Sequence, residues 1–352
     1  MVKSIKINGF IINDYSRAYI IAEAGVNHNG DITLAKRLVD EAVKTGVDCV
    51  KFQTFKAENL VTKKAPKANY QLQVTDPSES QFDMLKKLEL TLPEYKELIQ
   101  YCEAKRITFL STPYNKEDID FLDELNVPAF KVASGQLVEL PFLRHMARKG
   151  KPMIISTGMS YMSDVDEAVR AIRAEGNDQI ILLQCTTNYP SLEEEANLQS
   201  MNAMKASTGC IVGYSDHTLN NICMLGSIAL GAKVIEKHFT LDKKMDGPDH
   251  SCSADPAEFT QLVKEIRIME SALGNGIKIP GIHESKNIQG MRRSLASKVD
   301  IRKGEIITED KIAIKRPATG LEPKFIDQII GKTAKRDILG DEILQMNMIE
   351  WD

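Results

Sequence analysis

The feature that most constrains this chain is a count. Between residues 19 and 239, eight short apolar and β-branched runs alternate with longer amphipathic stretches. The runs are 19–26 (YIIAEAGV), 49–55 (CVKFQTF), 108–113 (TFLSTP), 129–134 (AFKVAS), 153–158 (MIISTG), 180–185 (IILLQC), 210–216 (CIVGYSD) and 234–239 (VIEKHF). None alternates cleanly between polar and apolar, as expected of parallel strands buried on both faces. The stretches LAKRLVDEAVKTG, LPEYKELIQYCEAKR and DVDEAVRAIRAEG space their apolar residues as helices do. Eight strand–helix units in about 250 residues is the arithmetic of a (β/α)8 TIM barrel. A doubly wound sheet is the rival. It does not usually need eight strands, and no GxGxxG follows the first run.

Three segments lie outside this repeat. Residues 3–17 read as a β-hairpin, with Asn8-Gly9 supplying the positive φ of a tight turn. It is expected to cover the open bottom of the barrel. Residues 56–92 form a long insertion after the second strand, polar at first and then helical (SQFDMLKKLEL). Long loops on that side of a barrel are usually walls or lids of a site. After residue 273 the texture becomes Gly- and Pro-bearing, then β-like. The division is therefore 1–273 for the catalytic barrel, 274–290 for a linker and 291–352 for a small β-rich domain. Within the last, RKGEIITEDKI (302–312) echoes LGDEILQMNMI (339–349), which suggests two related halves. A domain of ~60 residues is marginal alone and is expected to lean on the barrel or on a partner chain.

Charge narrows the function classes. The 45 basic residues against 49 acidic ones give a net charge of −4, so a nucleic-acid partner has no electrostatic support. No apolar run approaches the ~18–20 residues of a membrane span, and the first ten residues lack a signal-peptide core. The six cysteines include no CxxC pair, which fits a reducing cytoplasmic setting.

A TIM barrel does its chemistry at the C-terminal ends of its strands. Here every run ends in polar or ionisable residues. Lys51 and Lys131 interrupt buried strands. With Ser134 and Ser156 they can clamp a substrate bearing carboxylate and phosphate groups; an ion pair inside the barrel and a Schiff-base lysine are the alternatives. His217 and His238 end neighbouring strands in a chain with only six histidines. They can hold a divalent metal whose shell is completed by water and substrate, or be one buried and one surface histidine. Glu23 would then shuttle a proton or orient water, unless it serves only as a salt-bridge partner to a lysine. Asp249, in GPDHSCS after the last strand, offers a carboxylate to substrate hydroxyls or simply makes a turn.

In this order and spacing, IAEAGVNHNGD, VKFQTFKA, GYSDHT, EKHF, GPDHSCS, MRRSL and KRPATG resemble the sialic acid synthase family over essentially the whole chain. The resemblance implies a phosphoenolpyruvate-condensing TIM barrel joined to a C-terminal antifreeze-like (SAF, β-clip) domain. It implies condensation of phosphoenolpyruvate with an N-acetylated hexosamine, release of phosphate, and a domain-swapped homodimer. Matched by motif, His217 and His238 correspond to manganese ligands and Glu23 to the catalytic glutamate. Lys51, Lys131, Ser134 and Ser156 correspond to the phosphoenolpyruvate-holding groups, and Ser215 is placed with the substrate-binding residues. Gln53, Thr112, Tyr189 and Asp249 correspond to the sugar-side wall, and Arg316 to an arginine that reaches the acetamido group from the partner chain. Gln136 joins Glu23, Lys51 and Lys131 in the expected catalytic set. Many members carry an acid there, and a glutamine orients water but cannot move a proton. Two residues before Tyr189, Thr187 stands where the neuraminate-type pattern has Asn. The first expectation is N-acetylmannosamine as acceptor, giving N-acetylneuraminate. The alternative is 2,4-diacetamido-2,4,6-trideoxymannose, giving N,N'-diacetyllegionaminate. A pseudaminate synthase fits less well, because the third run ends Ser-Thr-Pro rather than Ser-Pro-Phe. A non-catalytic sugar-binding module is the reading from another class.

Overall fold

The computed structural model describes residues 3–68, 71–72, 75–76 and 78–351. The chain divides into two compact units, Met1–Gly274 and Asn275–Asp352. The first opens with a hairpin, β1 (Ile5–Ile7) paired antiparallel with β2 (Phe10–Ile12). Its turn has Asn8 and Gly9 at φ 44° and 88°, the left-handed pair that a two-residue hairpin requires. Then follow β3 (Tyr19–Gly25), β4 (Cys49–Thr54), β5 (Thr108–Pro113), β6 (Phe130–Val132), β7 (Met153–Ser156), β8 (Ile180–Cys185), β9 (Ile211–Asp216) and β10 (Val234–His238). Among the described residues these eight form one parallel sheet in the order β5-β4-β3-β10-β9-β8-β7-β6. The end strands β5 and β6 lie side by side at a seam without a hydrogen-bonded ladder. This is the expected TIM-barrel class.

Helices α1 (Ile32–Thr45), α2 (Ala57–Leu60), α3 (Gln81–Lys87), α4 (Leu92–Ala104), α5 (Lys116–Glu124), α6 (Leu140–Ala147), α7 (Met162–Ala174), α8 (Ser200–Thr208), α9 (Ile222–Ala229) and α10 (Pro256–Leu273) follow in chain order. All but α2 and α3 are the crossovers that lead out of each strand; α2 and α3 belong to the insertion. Local chemistry sets their ends. Asp31 caps α1 by accepting from the Thr33 amide, and Gly46 closes it at φ 81°. Asp255 caps α10 ahead of Pro256, with Glu258 completing a capping box.

Alternate strand residues point to opposite faces. The outward set, including Ile20, Val50, Phe52, Phe130, Ile155, Leu182, Val212 and Ile235, packs under the helices in one large core. The inward set forms a second core that draws on seven of the strands, on Ala129 just before β6, and on Ile5, Ile7 and Ile12 of the hairpin. The hairpin therefore plugs the floor of the barrel, as its place in the sequence suggested. Two buried faces explain why the runs did not alternate.

The second unit has its own small core, built on Leu295, Ile301, Ile312, Ile338, Leu344 and Ile349. Strand β11 (Ser294–Ser297) pairs with β12 (Ile312–Lys315), and β13 (Thr333–Ala334) with β14 (Ile349–Glu350). The sequence echo is structural: a 3-10 turn leads into β12 at 309–311 and into β14 at 346–348. The strands are short, with isolated bridges such as Ile301 to Ile338 joining the two halves.

Candidate active site

A cavity of about 300 Å³ opens at the C-terminal ends of the strands. It is lined by Glu23, Lys51, Gln53, Thr112, Lys131, Ser134, Ser156, Tyr189, Ser215, His217, His238 and Asp249. These residues come from eight different strands or the loops that follow them, and they meet in one place.

At its base lies a buried cluster of two acids and two lysines. Lys51 Nζ stands 2.6 Å from Glu23 Oε2 and 3.6 Å from Glu236 Oε2, and Lys131 Nζ stands 3.6 Å from Glu236 Oε1. Neutral donors and acceptors complete it. Lys51 donates to Thr112 Oγ1 at 3.0 Å, Lys131 to Ser156 Oγ at 2.8 Å, and Ser215 Oγ to Glu236 Oε1 at 3.1 Å. The ion-pair alternative for the lysines and Glu23 is thus present in this structure, within the cavity itself. A register shift between Glu23 and Gly25, with Gly25 at φ 53°, breaks the regular β3–β4 pairing where Glu23 projects. Gln53 donates to Glu23 Oε1 at 3.2 Å and accepts from the Tyr114 hydroxyl at 3.1 Å.

The electrostatics split the two acids. Burial would raise Glu236, but Lys131 and Lys51 hold it down at about 2. Burial raises Glu23 to about 7, with Lys51 opposing and the charge of Glu236 assisting. The lysines split too. Burial works against the charge on both. Glu23 and Glu236 more than compensate at Lys51, whereas Lys131 stays below its ordinary range.

Across the cavity the two imidazoles face each other with ring centroids 5.4 Å apart, and Tyr189 lies 4.0 Å from the His217 ring and edge-on to His238. His217 Nδ1 donates to the Thr186 carbonyl at 2.6 Å; burial works against a charge on the ring, but Cys185 beside it and this hydrogen bond raise its pKa above the ordinary value, and in the neutral form Nε2 carries the lone pair. His238 Nδ1 is buried without a hydrogen-bond partner, 4.0 Å from Asp249 Oδ2. Burial, then the neighbouring His217, keeps His238 well below its ordinary pKa and so neutral, the form that binds metals. An orphaned buried nitrogen beside a second free imidazole nitrogen fits a divalent cation. Among the described residues no group of three His, Cys, Asp or Glu side chains completes a protein-only shell, so water or substrate oxygens would fill the remaining positions.

Asp249 is buried, and burial raises its carboxyl to about 6. Its loop is tied to the loop after β3. Asn27 Nδ2 donates to Phe239 O and Ser253 Oγ, Ser253 Oγ donates to Asp249 O, and Asn29 Nδ2 donates to Asp246 O. Ser134 Oγ accepts from the Gly158 amide at 3.0 Å. A Cβ on Gly158 would come within 2.2 Å of Thr187 Oγ1, so only glycine allows this approach.

Two expected residues are not among those that line the cavity. The chain after β6 winds into a one-turn 3-10 helix, Ser134–Gln136, which leaves Ser134 on the cavity wall and Gln136 off it. Gln136 is buried with Oε1 unpartnered. Arg316 belongs to the second unit, where it is exposed and its Nε donates to Met291 O at 3.0 Å. Sequence reasoning placed Glu236 at a strand end without giving it a role. The available signal was its parity: it lies two residues before His238 and so shares its face. Lys237 and Asp216 point the other way and form a buried 2.5 Å ion pair, with Lys237 also donating to Thr218 O. This pair fixes the chain on both sides of His217.

A TIM barrel whose mouth gathers paired lysines, hydroxyls, carboxylates and two imidazoles defines an enzyme that handles an anionic small molecule. The family follows from comparison: the NeuB family model matches residues 38–278 and the SAF domain model residues 292–350, and the chain belongs to the NeuB family. It is 46% identical to the N,N'-diacetyllegionaminic acid synthase of Campylobacter jejuni subsp. jejuni, over 94% of this chain and 99% of that one. It is 41% identical to the protein of the same name from Legionella pneumophila subsp. pneumophila, over 98% of each. A solved N-acetylneuraminic acid (sialic acid) synthetase from Leptospira borgpetersenii serovar Hardjo-bovis superposes with a TM-score of 0.72 at 30% identity, covering 82% of this chain and 96% of that one. The protein is an enzyme of this sialic and legionaminic acid synthase class. Among the described residues no helix is long and apolar enough to cross a membrane.

Proposed function

We propose that the enzyme condenses phosphoenolpyruvate with 2,4-diacetamido-2,4,6-trideoxymannose, giving N,N'-diacetyllegionaminate and inorganic phosphate. The names of the 46% and 41% identical relatives favour this acceptor over N-acetylmannosamine, the first expectation from sequence. The observation that carries the reaction class is one cavity with two poles, a lysine–hydroxyl pole and an imidazole pole. Lys131 with Ser156, Lys51 with Thr112, and Ser134 would hold the carboxylate and phosphate of phosphoenolpyruvate. The resting cluster balances two acids against two lysines, so an incoming anion competes with Glu236 for cations already in place. Holding C3 of the enol beside the sugar's aldehyde carbon makes the encounter local. The C3–C1 bond forms and the aldehyde oxygen takes a proton. Water adds at C2 and gives its proton to Glu23, whose pKa near 7 suits that exchange. The C2–O bond then breaks as the C2 hydroxyl becomes the ketone, its proton passing to the departing phosphate, which leaves with the bridging oxygen.

His217 and His238 would hold a divalent cation, manganese by the family resemblance, which when bound supplies Lewis-acid polarisation of a carbonyl oxygen. The enzyme acts as a domain-swapped homodimer, with Arg316 of the partner subunit reaching the acetamido group. In support, the segments beyond β6, β7, β8 and β9 expose Val138, Met159, Tyr161, Leu192, Leu219 and Ile222, apolar side chains that another surface would cover. It works in the cytoplasm, where its six buried free thiols stay reduced.

The test is phosphate release and product mass with phosphoenolpyruvate and each candidate sugar, before and after chelation. Turnover with the diacetamido sugar that is lost on chelation and restored by manganese is expected. Exclusive use of N-acetylmannosamine would return the assignment to neuraminate. Mixing Arg316→Ala with His217→Ala chains should restore activity that neither homodimer has; a dead mixture, with subunit exchange confirmed, rejects the swap.

A further inference from the structure

The two imidazoles stand where backbone pairing between their strands stops. The last paired residues of β9 and β10 are Asp216 and Lys237, and His217 and His238 each lie one residue further on. His238 is still paired with Glu23 of β3, whereas His217 lies past the end of β9. Side chains take over from the ladder at this point. Lys237 Nζ donates to Asp216 Oδ2 at 2.5 Å and to the Thr218 carbonyl at 2.6 Å. Asp216 Oδ1 accepts from the Thr218 amide at 3.0 Å, from Thr218 Oγ1 at 2.9 Å and from the Tyr214 hydroxyl at 3.1 Å. The carboxylate therefore grips the residue after His217, and Lys237 ties that residue to the one before His238. The His217 carbonyl accepts from the Ser191 amide and the His238 carbonyl from the Ala254 amide, both at 2.9 Å.

Stability alone does not account for this pair. Asp216 and Lys237 are buried, neither lines the cavity, and their neighbour Tyr214 belongs to the core under the helices. In such a place apolar side chains of similar volume are often as stabilising as an ion pair, whereas a pair of charges specifies one arrangement of the elements that carry it. We infer that Asp216 and Lys237 are positioning residues that hold His217 and His238 at the spacing a divalent cation requires, an inference that rests on the cation site proposed above. The ring centroids are 5.4 Å apart. Metal–ligand distances tolerate only about 0.2 Å of error, so two strands that part just before their ligands need a tie. Partners that orient metal ligands are worth roughly ten- to a hundredfold in metal affinity, which sets the size of the effect.

The experiment titrates the full-length protein with Mn2+, reads the free ion by electron paramagnetic resonance, and records thermal unfolding alongside. The wild type should bind Mn2+ at a site that His238→Ala removes. Lys237→Met and Asp216→Asn should each weaken Mn2+ by roughly ten- to a hundredfold and lower the melting temperature, because each strands a buried charge. The double variant Asp216→Asn/Lys237→Met strands none. Its melting temperature should recover toward the wild type while its Mn2+ affinity stays low. A merely structural role would return affinity together with stability, and that result would overturn the inference. Should the double variant not fold, Tyr214→Phe decides. It takes one hydrogen bond from Asp216, keeps the ring in the core, and should weaken Mn2+ a few-fold; unchanged affinity would overturn the inference. A wild type that binds no Mn2+, or binds it equally well after His238→Ala, would overturn the cation site itself.

Discussion

The floor and the mouth of the barrel are built from the same eight strands, one pleat apart. On β3 the inward residues run Tyr19, Ile21, Glu23; on β4, Cys49, Lys51, Gln53; on β7, Ile154, Ser156; on β10, Val234, Glu236, His238. Two residues along these strands turn an apolar layer into a polar and charged one. The floor is closed by the hairpin isoleucines and buries side chains worth about 1.5–3 kcal/mol each. The mouth buries four charges, a costly arrangement unless every charge has a partner. The lesson is a division of labour. Stability comes from the inner floor and the outer helical layer, which lets the mouth keep groups that a core would reject.

That contrast can be broken from the mouth side first. His217→Ala or His238→Ala should remove turnover altogether, with melting temperature shifted by only a few degrees, read by phosphate release and thermal unfolding. Unfolding of either variant would mean the imidazoles belong to the structural layer.

The lysines should come next. Loss of either should weaken phosphoenolpyruvate by about 2–5 kcal/mol, the cost of removing one charged partner from a desolvated anion. They should differ in stability. Lys51→Met strands Glu23, 2.6 Å away, whereas Lys131→Met leaves Glu236 with Lys51. Melting should therefore fall more for Lys51→Met; equal losses would contradict this pairing.

From the floor side, Leu183→Ala should cost about 2–5 kcal/mol of stability, while kcat per folded molecule holds. Gly213→Ala makes the same point by overpacking, since its Cβ would come within 2.0 Å of the Val234 carbonyl oxygen. A floor variant with full stability and lost activity would erase the distinction.

The smallest effect is in pH. Glu23 must be ionised to accept a proton from water, so kcat/KM should rise through about pH 7 and then level. Glu23→Gln should lose that limb. Stability runs the opposite way: the folded state holds a proton that the unfolded chain releases near 4.5, so this contribution falls as pH climbs from about 4.5 to 7. The Gln variant should gain in melting temperature relative to wild type across that window.

Much of this was legible in the chain. Eight doubly buried strands announce themselves by count, and Asn8-Gly9 announces the hairpin. Polar strand ends pointed to the mouth because barrel geometry converts a sequence position into a place. What stayed hidden depends on rotation or on parity in the third dimension. Gln136 lies off the wall because a 3-10 turn intervenes, and no residue type signals that turn. Glu236 bridges both lysines, and among Lys237 and His238 only its parity with His238 marks it.

The central claim is that the mouth joins phosphoenolpyruvate to a sugar and breaks the C2–O bond after water adds. The direct measurement labels the bridging enol oxygen of phosphoenolpyruvate with oxygen-18, supplies 2,4-diacetamido-2,4,6-trideoxymannose and manganese, and follows the label by mass spectrometry. The account predicts that all label leaves in inorganic phosphate and that the keto acid product is unlabelled and one pyruvate unit heavier than the sugar. Label retained in the keto acid, or no sugar-dependent release of phosphate, would contradict it.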